Sequence, residues 1–195
     1  SSGSNSLTVN QADQTITFAA LTDKTYGDAD FSVSATASSG LTVTFAATGN
    51  CTVTGTSVHI TGAGSCTVIA SQAGDTNYKA ALDVPHTFTI NTASQTITVT
   101  TAPPATAEYG TNFTVAANAP GGTVTVSGTG SCSASGTTVT MTSGSGVCTV
   151  TFSQAGTANY TAASDVTKTT NAAKATATIT IDPASSRVTV WIEGC

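Results

Sequence analysis

Apolar and polar side chains alternate along a series of short stretches in this chain. They include "FSVSATA" (Phe31–Ala37), "LTVTFAA" (Leu41–Ala47), "CTVTGTSVHIT" (Cys51–Thr61) and "CTVIAS" (Cys66–Ser71). A period of two marks strands with one buried face. Glycines stand between them, at Gly40, Gly55, Gly62, Gly64 and Gly74, where turns are required. No stretch shows the 3.6-residue period of an amphipathic helix. Closely spaced strands with one apolar face each predict a small antiparallel sandwich.

The pattern occurs twice. "QTITF" at Gln14 returns as "QTITV" at Gln95, and "YGD" at Tyr26 returns as "YGT" at Tyr109. Cys51 is matched by Cys132, and Cys66 by Cys148. The phrase "SQAGDTNYKAA" at Ser71 returns as "SQAGTANYTAA" at Ser153. These anchors keep one order at offsets of 81 to 83 residues. Periods of that length indicate an array of whole domains, since solenoid repeats run about 20–50 residues. The chain divides on this reading into an N-terminal segment (1–12), two modules (13–92 and 93–182) and a tail (183–195). "ASSRVTV" at Ala184 resembles "ASQTITV" at Ala93, so the tail either starts a third module or is a lone strand.

Composition narrows the function. Only 8% of the 195 residues are charged, with a net charge of −5. No basic cluster exists, which argues against a nucleic-acid partner. No apolar run approaches the ~18 residues of a membrane helix, and "SSGSNSLTVN" lacks the layout of a signal peptide. No membrane insertion is expected.

The paired cysteines, Cys51 with Cys66 and Cys132 with Cys148, occupy equivalent places in strands that share an interior. Disulfides are the expected state, and they imply an oxidising compartment; buried free thiols are the alternative. Zinc is disfavoured because there is no CxxC. Cys195 is left over, which suits linkage to another chain, an exposed thiol or an added residue.

Catalytic signatures are missing: there is no G-x-S-x-G, H-E-x-x-H, P-loop or dinucleotide fingerprint. His59 alternates with Val58 and Ile60 and should face solvent; His86 is read the same way. Asp23, Asp28 and Asp30 gather in one loop, as calcium ligands do. The second module offers only Glu108 and Asn112 there, so neither metal nor cofactor is expected. Asn50, Asn112 and Asn159 open glycosylation sequons. Tyr26 with Gly27, Tyr78, Tyr109 with Gly110, and Tyr160 recur at matching places, which favours fold roles. A buried Tyr78 ring with its hydroxyl on a backbone partner would resemble a tyrosine corner.

The opening "QTITF", the "TYGD", the cysteine pair and the closing "SQAGDTNYKAA…FTI" together resemble bacterial immunoglobulin-like repeat domains of the MBG (YGX) type. The likeness is closer over Gln14–Asn91 than over Gln95–Asp182. It implies two tandem immunoglobulin-like β-sandwich modules in an all-β protein, secreted or at a bacterial cell surface. The expected role is a non-catalytic part of a stalk, fibre or filament, with neighbouring modules or further copies as partners. An adhesin or carbohydrate-binding module, using loops at the sandwich end, is the alternative. The tail alternates Val188, Val190 and Ile192 with Arg187 and Trp191. Together with Cys195, and with "SLTVN" near the start, it is the candidate for intermolecular strand pairing.

Overall fold

The computed structural model of the protein describes residues 9–181 and 188–191, with 178–181 and 188–191 described as backbone only. The described residues form strands joined by turns and contain no helix. Two compact units divide the chain, 1–93 and 94–195.

Unit 1 contains β1 (Ile16–Phe18), β2 (Lys24–Thr25), β3 (Phe31–Ser32), β4 (Ala35–Ala37) and β5 (Thr44–Gly49), followed by β6 (Cys51–Thr54), β7 (Ser57–Ile60), β8 (Gly64–Ser71) and β9 (Val84–Asn91). One layer is the four-stranded sheet β2-β9-β8-β5, in which only the short β2 runs parallel to its neighbour. The other layer holds β1 on β4 and the sheet β3-β7-β6. Val33, between β3 and β4, donates its N–H to the Thr56 carbonyl at 2.9 Å, which joins these two pieces along one stretch of chain.

The alternation read in the sequence sets the burial. In β7, Val58 and Ile60 are buried while Ser57 and His59 are exposed. In β8, Cys66, Val68 and Ala70 point inward. Phe18, Val33, Val58 and Ile60 from one layer meet Val68, Phe88 and Ile90 from the other in a single core. This is the arrangement of a β-sandwich.

Unit 2 repeats the strand order: β10 (Thr98–Thr101), β11 (Thr106–Glu108), β12 (Asn112–Thr114), β13 (Ala116–Asn118) and β14 (Thr125–Gly130), then β15 (Cys132–Ser135), β16 (Thr138–Met141), β17 (Val147–Ser153) and β18 (Val166–Ala173). Its sheets are β11-β18-β17-β14, β10-β13 and β12-β16-β15. The core is refilled with different volumes. Phe45 lies opposite Ala70 in unit 1, whereas Val126 lies opposite Phe152 in unit 2, so the large and small partners change sides. Phe88 is replaced by Thr170, fully buried, whose hydroxyl donates to the Pro104 carbonyl at 2.8 Å.

The tail differs from the sequence reading. Unit 2's sheets end with β18 at Ala173. Beyond it, β19 (Thr178–Ile181) pairs antiparallel with β20 (Val188–Trp191) as a separate two-stranded sheet. Val188, Val190 and Trp191 therefore belong to a hairpin rather than to a free strand. Arg187, Ile192 and Cys195 lie outside the described residues, as do Ser6, Leu7 and Thr8 of "SLTVN".

Candidate functional site

The duplicated "SQAG" phrase is the place where a binding site and a structural turn compete as explanations. In unit 1, Gln14 is buried, and its Nε2 donates to Gln72 Oε1 and to the Lys79 carbonyl, each at 2.7 Å. Its Oε1 accepts from the Ser39 hydroxyl. Gln72 Oε1 also accepts from the Gly74 N–H. The opening Gln of each module is thus the partner of the Gln in its own loop.

Unit 2 builds the same lock. Gln95 Nε2 donates to Gln154 Oε1 and, at 2.7 Å, to the Thr161 carbonyl. Gln154 Oε1 accepts from Gly156 N–H at 2.6 Å. One partner changes: Gln95 Oε1 accepts from the backbone N–H of Gly121 at 2.7 Å, where unit 1 uses the Ser39 side chain. Gly121 is required for that approach, since a Cβ there would lie 2.6 Å from Gln95 Oε1. The paired glutamines are thus engaged with each other and with the backbone within each module. Pattern reading missed this because the two glutamines of a pair lie 58 or 59 residues apart. Their joint recurrence at both ends of each module was the available signal.

The loop closes on its own backbone. Gly74 has φ +77°, and a Cβ on it would come within 2.7 Å of Lys79 C and 2.8 Å of Ala80 N. Gly156, at φ +87°, is equally enclosed. Only glycine combines that backbone angle with that closeness. Asp75 bridges the turn, its Oδ1 accepting from the N–H groups of Asn77 and Tyr78 at 2.7 and 2.8 Å. Asn77 contributes its carbonyl, which accepts from Ala12 N–H at 2.8 Å.

The recurrent tyrosines make matching backbone bonds in the two units. Tyr26 N–H donates to the Asn91 carbonyl and Tyr109 N–H to that of Ala173, both at 2.9 Å. Each opens a turn whose next residue, Gly27 (φ +90°) or Gly110 (φ +79°), takes the left-handed conformation. The rings diverge: Tyr26 packs against the core, whereas Tyr109 is exposed. The Tyr78 and Tyr160 carbonyls accept from Asp75 and Thr157 N–H, each at 2.9 Å. The tyrosine-corner expectation fails at Tyr78. Its ring is half-buried and lies outside the core cluster, and no hydrogen bond of its hydroxyl occurs among the described residues.

The titratable groups are dispersed. His59 faces solvent and its Nδ1 is 2.7 Å from Asp30 Oδ1. Asp23 accepts from Thr89 N–H and Asp28 from Thr25 N–H, so the three carboxylates of the loop turn to separate partners. Among the described residues no three His, Cys, Asp or Glu side chains group as metal ligands. His86 departs from the solvated reading: it is half-buried, its ring lies 5.1 Å from that of Phe18, and its Nε2 is 3.0 Å from the Phe18 carbonyl oxygen. Asn50 is likewise committed, donating to the Ala63 carbonyl at 2.6 Å.

Cys51 is joined to Cys66, and Cys132 to Cys148, by disulfides whose Cα atoms lie 5.6 and 5.1 Å apart. Each ties β6 or β15 in one layer to β8 or β17 in the other. All four cysteines are buried. The bonds point to an oxidising environment. Among the described residues no helix is long and apolar enough to cross a membrane.

Open grooves occur among the described residues. One in unit 1, about 400 Å³, is lined mainly by Val33, Ala35, Leu41, Val43 and Phe45. One in unit 2, about 490 Å³, lies beside the "SQAG" loop and presents Thr123, Thr125, Ser153 and Asp165.

The fold and these locks define an all-β protein of two units, each stapled by a disulfide. Compared with known proteins, the chain matches no protein-family model and no curated protein sequence.

Proposed function

We propose that the chain is a non-catalytic structural part of an extracellular bacterial stalk, fibre or filament, made of tandem immunoglobulin-like modules. The observation that carries this reading is the duplicated glutamine lock. The polar groups that recur in both units are spent on fixing turns and fastening the first strand. The strand order supports the immunoglobulin-like assignment. One layer follows the first, second, fifth and fourth strands of that fold, and the other follows the short parallel strand with the seventh, sixth and third. The buried disulfides suit a secreted setting, and a low-charge, Thr-rich surface suits a protein that acts by its shape. Its partners are neighbouring modules or further copies of itself. Electron microscopy of the intact chain against one ending at Asp182 tests the part played by the tail. Filaments or end-to-end contacts that need residues 183–195 support the reading; identical particles in both count against it.

A carbohydrate-binding role is the second reading. The unit 2 groove favours it, with the hydroxyl side chains of Thr123, Thr125, Ser153 and Thr157 and the Asp165 carboxylate around one depression. Saturable binding on a glycan array, lost in Asp165→Ala, would promote it over the first.

A further inference from the structure

The tail hairpin contains a third copy of the first strand. "ATITI" at 177–181 stands 82 residues after "QTITV" at 95–99, which stands 81 after "QTITF" at 14–18. This phase agrees with the preceding strand, because β18 ends at Ala173 where β9 ends at Asn91, again 82 residues apart. The sequence puts Ile179 and Ile181 where β1 has Ile16 and Phe18. One position departs: Ala177 replaces the lock glutamine.

Two further observations bear on what such a copy does. The resident β1 is a short strand, held on β4 by three residue pairs, and Gln14 at its start adds three side-chain hydrogen bonds. Among the described residues β19 pairs only with β20, over four residue pairs. A two-stranded sheet is marginally stable on its own in water, which favours exchange of β19 for another pairing.

We propose that residues 177–181 are an exchangeable substitute for β1, able to pair with β4 of a second copy of this chain, and that Gln14 is the latch that holds the exchange off. The incoming strand offers matching apolar positions and the same backbone hydrogen-bonding pattern. It lacks the amide, so the Gln72 Oε1 and Lys79 carbonyl positions stay unbonded to it. Three hydrogen bonds of ordinary net worth amount to a preference for the resident strand of roughly a hundredfold. Specificity of this kind comes from what the wrong strand fails to satisfy. An exchange that passes from copy to copy leads to an open chain of molecules.

The proposal rests on the self-association reading above, and the test separates the two. Sedimentation of the full chain with Cys195→Ser is followed over a concentration series, alone and with Ala177→Gln or Gln14→Ala. Ala177→Gln lies outside both units' sheets and leaves their folding intact. Each change is expected to lower the concentration of half-association roughly a hundredfold. Thr17 faces Thr36 across β1 and β4, and Thr180 is the counterpart of Thr17 in the tail. Cysteines introduced as Thr36→Cys and Thr180→Cys are therefore expected to trap a covalent dimer on oxidation, more so with Ala177→Gln. Association that ignores both lock changes, or that forms no such cross-link, overturns the exchange and leaves the stalk reading standing. No association by any variant overturns both.

Discussion

Replacing Gln154 by Ala tests whether the duplicated loop is a structural lock. Gln154 is 6% exposed. Its Oε1 accepts from Gln95 Nε2 and Gly156 N–H, and its Nε2 donates to the Gly121 carbonyl at 3.3 Å. At about 1 kcal/mol net for each hydrogen bond, the substitution costs about 3 kcal/mol. For a unit of this size that corresponds to a fall in melting temperature of about 12–24 °C. Hydrogen exchange read peptide by peptide keeps the units apart: unit 2 amides should lose protection while unit 1 amides keep theirs. Gln95→Ala should cost a similar amount. The double mutant should fall short of the sum by about 1 kcal/mol, the value of the shared bond. A loss below about 0.5 kcal/mol for Gln154→Ala, or strict additivity with Gln95→Ala, refutes the lock and makes these amides candidates for binding a ligand.

Gly74→Ala combines a left-handed backbone with contact against Lys79 and Ala80, and should destabilise unit 1 by about 2–4 kcal/mol in urea unfolding. Reduction opens disulfides separated by 15 and 16 residues and should cost each unit about 3 kcal/mol, seen by comparing melts with and without reductant. Tyr78→Phe should stay within about 0.5 kcal/mol of the native chain by the same measurement, since the hydroxyl has no bond to lose. Ala70→Phe alone should overpack unit 1 by about 1–3 kcal/mol, and adding Phe45→Val should recover most of that, because unit 2 already holds that combination.

Much of the architecture was legible from local pattern. Burial alternating with period two is visible in any window of six residues, so β7 and β8 could be read from Val58, Ile60, Cys66 and Val68 without knowledge of their partners. The cysteine pairs were readable because a second copy gave them a register. Features that depend on distant pairs were less accessible. Nothing local to His86 shows that its ring meets Phe18, 68 residues earlier in the chain. Nothing local to Tyr78 shows that its carbonyl and N–H, rather than its hydroxyl, are what the turn uses. The pairing of the tail is out of local reach for a related reason: nothing within "SRVTV" shows that Val188–Trp191 meets Thr178–Ile181.

Comparing the units separates two kinds of constraint. Positions that fix backbone geometry are repeated by residue type: Gln14 and Gln95, Gly74 and Gly156, Gly27 and Gly110. Each answers a demand that a single side chain or its absence can meet. Positions that fill the core are repeated only in sum. Phe45 with Ala70 becomes Val126 with Phe152, and Ile60 opposite Cys51 becomes Met141 opposite Cys132. Dense packing constrains total volume and leaves its division among neighbours free. A ligand site shared by the units would need a third kind of repetition, of polar groups that the fold itself leaves unbonded. The recurrent glutamines of the "SQAG" loops do not meet that condition, because the Oε1 of each is bonded inside its own unit. Thr170 shows the same logic from the other side. It is a polar group found in one unit only, buried where Phe88 stood, and its single hydroxyl is satisfied by Pro104, so its presence records a repacking of unit 2 and not a site.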